Sequence, residues 1–219
     1  MEVLSKLFGS SARVKLLRLF LFNEGENFET GEIARRAHVT PAVMRSETAM
    51  MEKVGLVRRK SFFVEAVTGS GKRKKTVKKK VRGWTLDQKF KYLSALRNFL
   101  LTAAPVQQND IVKKLGGVGK CKLIILAGAF IQDWNSRLDL LIVGDGIDRG
   151  RLETAVKHIE AELGKELRYA VFDTRDFAYR LNIYDKLIRD VFDYPHQTVL
   201  NRLGEWYDSS SHTLVGKRL

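Results

Sequence analysis

In the first half of the chain apolar residues recur at helical spacing, and in the second half short apolar runs alternate with helical stripes. Ser11 to Phe22 carries Val14, Leu16, Leu17, Leu19, Phe20 and Leu21, which predicts a densely apolar helix at the centre of a core. The polar run Asn23 to Asn27 breaks it. Thr30 is suited to cap a short helix over Gly31 to Ala37, with Ile33 and Ala34 or Ala37 facing inward. His38-Val39 forms a turn, and Thr40-Pro41 opens a third helix with a capping hydroxyl and a proline at the first helical position. That helix is predicted to run to Val54 and stop at Gly55. Met44, Thr48 and Met51 form its inward stripe, which leaves Ala42, Val43, Arg45, Ser46 and Ala49 on other faces. Leu56 to Val67 and Val81 to Leu86 are apolar stretches on either side of a polar segment. Thr85 to Thr102 then predicts a helix, its stripe Leu86, Phe90, Leu93, Leu96, Phe99 and Leu100, ending near Pro105. Such a helix would join two domains, pair with its copy in a dimer, or dock on the preceding strands.

Beyond Gly116-Gly117 the pattern changes. Lys122 to Ala127 and Leu138 to Val143 read as buried strands, and Leu167 to Phe172 as a third. Between the second and third, Leu152, Val156, Ile159 and Leu163 form a helical stripe ending at Gly164. Asp176 to Phe192 is helical in character, and Asp208 to Leu219 reads as a polar tail. Strands interleaved with helices imply an α/β unit. The organisation expected is therefore α+β, with domains at 1–84 and 105–207, a linking helix at 85–104 and a tail at 208–219.

Charge separates the two halves. The formal net charge is +14, and residues 1–100 hold 22 Lys/Arg against 9 Asp/Glu while residues 101–219 hold 17 against 16. The excess concentrates in Lys72 to Arg82 (KRKKTVKKKVR), a run without an acid. Such a run repels itself and needs a polyanion or solvent around it. Gly69-Ser70-Gly71 precedes it as a flexible tip. Lys72, Arg73, Lys74, Lys75, Lys78, Lys79, Lys80 and Arg82 are accordingly candidate phosphate contacts, giving affinity more than sequence choice. Specificity would fall to Thr40, Ala42, Val43, Arg45, Ser46 and Ala49, where small side chains admit a helix to the major groove and Arg45 reaches guanine. Charge alone does not separate DNA from RNA.

The rest of the composition narrows the classes. A single cysteine, Cys121, excludes an internal disulfide framework and a thiolate metal cluster. His38, His158, His196 and His212 lack metal-ligand spacing, so no metal and no cofactor is expected. No run of 18 apolar residues occurs, and Met1 to Ser10 lacks the pattern of a signal peptide, so a cytoplasmic location is expected.

Two resemblances sharpen this. Pro41 to Lys60 (PAVMRSETAMMEKVGLVRRK) resembles the recognition helix of winged helix-turn-helix regulators of the MarR and ArsR type, with Met51-Glu52-Lys53-Val54-Gly55-Leu56-Val57 in place of their leucine, glutamate, x, x, Gly-Leu-Val element. The resemblance covers roughly residues 5–90. It implies that the basic run belongs to the wing, that double-stranded DNA is the partner, and that the protein is a homodimer. Gly128-Ala129-Phe130 followed by Leu138 to Gly144 resembles the minimal nucleotidyltransferase fold. Active members carry Gly-Ser or Gly-Gly after the first strand, an Asp-x-Asp pair opening the second, and a third carboxylate beyond the next helix. Here Ala129 stands where Ser or Gly is usual, Arg137 takes the first aspartate position, Asp139 keeps the second, and Arg168 falls at the third. One carboxylate between two arginines does not hold two divalent ions, because Mg²⁺ needs oxygen ligands and the cations repel it.

The resemblance therefore implies a retained fold without transferase chemistry. Gly128, Ala129, Arg137, Asp139 and Arg168 would form a degenerate pocket that either packs the two strands or takes a nucleotide or other anion. The expected function is a DNA-binding transcriptional regulator whose second domain dimerises or senses a ligand. The rivals are an active nucleotidyltransferase and an antitoxin-like protein.

Overall fold

A computed structural model describes residues 3–68, 75–102, 108–133, 135–204, 207–208 and 213–214, in a mixture of helices and strands. The chain divides into two units, Met1–Pro105 with Glu160–Lys165, and Val106–Ile159 with Glu166–Leu219. Among the described residues no helix is long and apolar enough to cross a membrane.

The first unit runs α1 (Val3–Leu7), α2 (Ser11–Phe22), β1 (Asn27–Glu29), α3 (Thr30–Arg36), α4 (Pro41–Lys53), β2 (Val57–Thr68), β3 (Lys75–Leu86) and α5 (Leu93–Thr102). Its sheet is antiparallel throughout, in the order β1-β3-β2. Ser10 caps α2, its hydroxyl accepting from the Arg13 amide at 3.1 Å. Helix α2 then buries Leu16, Leu19, Phe20 and Leu21 in one cluster with Phe28, Ile33, Met44, Met51, Leu56 and Leu86. Each such side chain withdrawn from water stabilises the fold by roughly 1.5–3 kcal/mol. Phe20 meets the Phe28 ring edge to face at 5.6 Å. Arg18 is fully buried in the same helix, and its Nη1 donates to the Glu162 carbonyl at 2.8 Å, within the part of the first unit formed by Glu160–Lys165.

Several boundaries differ from the sequence expectation, each for a local reason. Thr30 is the first residue of α3 and does not cap it: Glu29 holds the cap position without a side-chain bond, because Asn27–Glu29 is drawn into β1 against β3. Strand β3 starts at Lys75, well before Val81, because twelve consecutive pairs with β2 engage its backbone while water takes the Lys78, Lys79 and Lys80 side chains. Leu86 ends that strand opposite Val57 and does not begin a helix. Asp87 turns the chain, its Oδ1 accepting from the Lys89 amide at 3.0 Å, so α5 begins only at Leu93. The tip Gly69-Ser70-Gly71 with Lys72, Arg73 and Lys74 lies outside the described residues.

The second unit contains α6 (Gln108–Leu115), β4 (Lys120–Leu126), a 3-10 turn (Gly128–Phe130), β5 (Leu140–Asp145), α7 (Arg149–Leu163, whose last residues group with the first unit), β6 (Tyr169–Phe172), α8 (Thr174–Asn182), α9 (Lys186–Asp193) and β7 (Gln197–Asn201). Its sheet has the order β6-β5-β4-β7, with β5 and β6 parallel and the other pairs antiparallel. The parallel pair follows from α7, since parallel neighbours need a crossover element. The segment from Asp176 to Phe192 is two helices, parted at Tyr184, whose φ is 54°, and at Asp185, whose carboxylate caps α9 through the Leu187 and Ile188 amides. Strand β7 and helix α6 were not expected from the pattern. Of the tail, only the short pair β8 (Tyr207–Asp208) and β9 (Thr213–Leu214) is described, and the rest of residues 209–219 lies outside the described residues.

Gly83 sits in the central strand β3, flanked by Glu29 of β1 and Lys60 of β2. A Cβ there would overlap the Phe28 carbonyl oxygen and crowd Phe62 Cε1. Backbone cannot swing aside as a side chain can, so Gly83→Ala should cost about 1–3 kcal/mol. Denaturant unfolding with equal slopes for both forms would measure the loss, and an unchanged midpoint would show that β1 is free to move away.

Candidate nucleic-acid interface

Helix α4 is held by its ends and one inner face. Thr40 Oγ1 accepts from the Val43 amide at 3.4 Å, and Pro41 occupies the first turn, where an amide hydrogen has no partner to lose. At the other end Gly55 has φ 82°, and the Gly55 and Leu56 amides donate to the Glu52 and Met51 carbonyls. This left-handed cap turns the chain straight into β2. Met44, Glu47, Thr48 and Met51 are buried. Glu47 pairs with Arg13 of α2 at 2.8 Å, and Thr48 satisfies its hydroxyl on the Met44 carbonyl at 2.7 Å. The preceding turn places His38 at φ 49°. Opposite the buried stripe, Thr40, Ala42, Val43, Arg45, Ser46 and Ala49 are all exposed.

The β2–β3 hairpin adds a second exposed surface, and the pleat sorts it into two faces. One face carries the cross-strand pairs Val57 with Leu86, Arg59 with Trp84, Ser61 with Arg82, Phe63 with Lys80, and Glu65 with Lys78. At its base this face is core, Val57 and Leu86 being 2% and 3% exposed. One pair further out, Arg59 lies over the Trp84 ring at 5.1 Å and its Nε is 3.1 Å from Glu52 Oε1 in the last turn of α4. This face therefore lies on the same side as α4. Beyond it Phe63, Lys78, Lys80 and Arg82 are exposed. The opposite face carries Lys60, Val64 and Lys79, with Phe62 near Gly83. Lys75 pairs with Thr68 at the outer end of the described hairpin. Arg59 and Phe63, which sequence reasoning did not single out, thus join the α4-side surface, while Arg58 and Lys60 are exposed on the opposite face. Their signal was the run Arg58-Arg59-Lys60 directly after Leu56-Val57.

In the second unit Gly128, Ala129, Asp139 and Arg168 come together. Asp139 is 2% exposed, and its Oδ1 accepts from the Ala129 amide (2.8 Å) and Arg168 Nη2 (3.1 Å). Its Oδ2 accepts from the Arg168 amide (2.8 Å) and Arg168 Nε (3.1 Å). A Cβ on Gly128, at φ 49°, would overlap that carboxylate. Arg137 is engaged elsewhere: its Nε lies 3.3 Å from Asp190 Oδ2 of α9. It lines a pocket of about 440 Å³ with Asp133, Ser136, Lys186, Asp190 and Tyr194. The two arginines are thus each committed to a different carboxylate.

The remaining acids near the strand ends are structural in their contacts. Asp173 caps α8 by accepting from the Asp176 amide at 2.7 Å. Asp145 accepts from Lys122 at 2.7 Å and from the Thr174 amide at 3.1 Å, and these bonds hold its carboxyl down to about 2. Its stabilising contacts persist at neutral pH and are lost only as pH falls toward that value. Burial pushes the Cys121 thiol up, away from the thiolate form that a nucleophile needs. Among the described residues no group of three or more His, Cys, Asp or Glu side chains is placed to hold a metal ion.

Comparison of the chain with protein-family models, curated proteins and solved structures yields no match.

The Asp139 geometry separates two contributions. Its two backbone donors are fixed in place, and each left unsatisfied costs about 1–3 kcal/mol. The Arg168 guanidinium, half exposed, turns to water when released. Asp139→Ala should therefore lower stability by about 2–5 kcal/mol, and Arg168→Ala by only about 1 kcal/mol. Equal losses in paired denaturant titrations would show that the ion pair, not the backbone anchoring, carries the site.

Proposed function

We propose that the chain is a DNA-binding transcriptional regulator, its first unit a winged helix-turn-helix and its second a nucleotidyltransferase-like fold without transferase chemistry. The observation that carries this reading is the alignment of two exposed surfaces on one side of the first unit. These are the outer face of α4, small except for Arg45, and the hairpin face with Lys78, Lys80 and Arg82, bridged where Arg59 meets Glu52. The element order of helix, strand, two helices joined by a tight turn, and a long hairpin supports the fold assignment.

In this reading α4 enters the major groove, where Arg45 donates two hydrogen bonds to guanine and the small neighbours Ala42, Ser46 and Ala49 permit close approach. The hairpin lies along the adjacent backbone, its cations displacing condensed counterions. Val3, Leu7 and Phe99 are exposed on α1 and α5, and Phe8 packs on Phe99 at 6.3 Å, which supports pairing of two copies over these helices. A two-fold dimer presents two α4 helices to a palindromic site. The second unit would serve dimerisation or sensing, with a nucleotide or other anion taken beside Arg137 and Lys186. Commitment of both Asp139 oxygens to protein donors supports the absence of transferase chemistry, since no lone carboxylate is left to recruit Mg²⁺. A cytoplasmic location fits this role.

Affinity for duplex DNA across a salt series tests the reading. Replacing Lys78, Lys80 and Arg82 with serine should weaken binding to any sequence and flatten the slope of log affinity against log salt by up to about 2.7 units. Arg45→Ala should instead cost about 1–3 kcal/mol on a selected site and little on random sequence. A slope unchanged by the three replacements would remove the hairpin from the interface, and equal loss on both DNAs would reassign Arg45 to the backbone.

A further inference from the structure

The hairpin holds two adjacent phenylalanines with different surroundings. Phe62 is half-buried on the face away from α4, its Cε1 next to Gly83. Phe63 points to the other face and is 66% exposed, although it sits in the middle of a paired strand with a fixed register. Leaving a phenylalanine in water forgoes the roughly 1.5–3 kcal/mol that its burial would give. Its cross-strand neighbours on that face are all cations, while Ser61 and Glu65 flank it along β2. Lys80 is directly opposite, Lys78 and Arg82 are diagonal, and Glu65, opposite Lys78, is the one acid among these pairs. Direct and diagonal neighbours on a sheet face lie about 5 Å and 7–8 Å apart, so the ring is set in a triangle of cations. Phe63 is four residues out from Arg59, the residue that touches α4, which places it about 13 Å along the strand.

We propose that Phe63 is a wedge that enters the DNA minor groove and partly unstacks a base step, a role that rests on the duplex reading above. An apolar side chain pushed between base pairs kinks the duplex when cations beside it hold both strands. Lys80 and Arg82 are on the correct face to take the flanking phosphates, while Lys79 is on the other. The steps that yield most easily are pyrimidine–purine steps, TA above all. The hairpin thus adds a preference for deformable sequence to the reading of base edges by α4.

The test uses the full chain at low salt and duplexes carrying 2-aminopurine at TA steps, whose fluorescence rises on unstacking. The expected result is a rise on binding that is lost in Phe63→Ala, with affinity about tenfold weaker and the salt slope unchanged. Phe63→Leu, still an apolar wedge, should keep part of the rise. Binding with a steep salt slope but no fluorescence change, or a change that survives in Phe63→Ala, overturns the wedge and leaves the duplex reading standing. No binding to any duplex at low salt overturns both. Tighter binding to single strands, dependent on Phe63, overturns the wedge in favour of stacking on unpaired bases.

Discussion

The register of β3 against β2 is the constraint on which the first unit depends. One strand serves two purposes along its length: Leu86 and Trp84 pack at the base, and Arg82, Lys80 and Lys78 project from the same face further out. Because side chains alternate, a slip of one residue would expose Leu86 and turn the cations to the other side. Burial at the base therefore fixes the direction of charge at the far end. Gly83 enforces the register from the third strand, since only a residue without Cβ lets β1 approach there. The Arg59 contacts with Trp84 and Glu52 then tie this face to α4.

A comparable economy appears in the second unit, where a single carboxylate does the work of a joint. Asp139 precedes β5, and its bonds reach the turn after β4 through Ala129 and the start of β6 through Arg168. Three successive strand ends are thereby held by one side chain. A carboxylate used in this way is saturated with donors, which is the opposite of what a metal-binding acid requires. Arg168 alone supplies three of these donors, its amide, Nε and Nη2. The bond geometry makes the cluster a strand anchor, and Arg137 instead belongs to the pocket beside α9.

Much of the first unit was legible in the sequence because its signals are local. Thr40-Pro41 and Gly55 bound α4 within one residue, and the stripe Met44, Thr48, Met51 is its buried face. Glu47 was not legible, because its burial depends on Arg13, thirty-four positions away. Nor was the full length of β3, since eight cations in eleven residues suggest a solvated loop until the partner strand supplies twelve backbone pairs. The boundary of α5 failed for a related reason: Leu86 fits a helical stripe and a strand equally well, and its pairing with Val57 decides. Strand β7 is short and half-buried, so its pattern carries no clear alternation. In the second unit Asp139 and Arg168 were legible as residues of two predicted strands, but the engagement of Arg137 by Asp190 rests on a helix, α9, whose separate existence the sequence did not reveal.

The central claim, that DNA lies against α4 and the α4-side face of the hairpin, is tested most directly by site-specific crosslinking. A photoreactive side chain would be placed in turn at Ser46, Lys80 and Lys79, each exposed, the last two adjacent in sequence but on opposite faces of β3. With duplex DNA, strong crosslinks at Ser46 and Lys80 and a weak one at Lys79 are the expected result. A crosslink at Lys79 equal to or stronger than that at Lys80 would contradict it, because the duplex would then lie across the wrong face of the sheet.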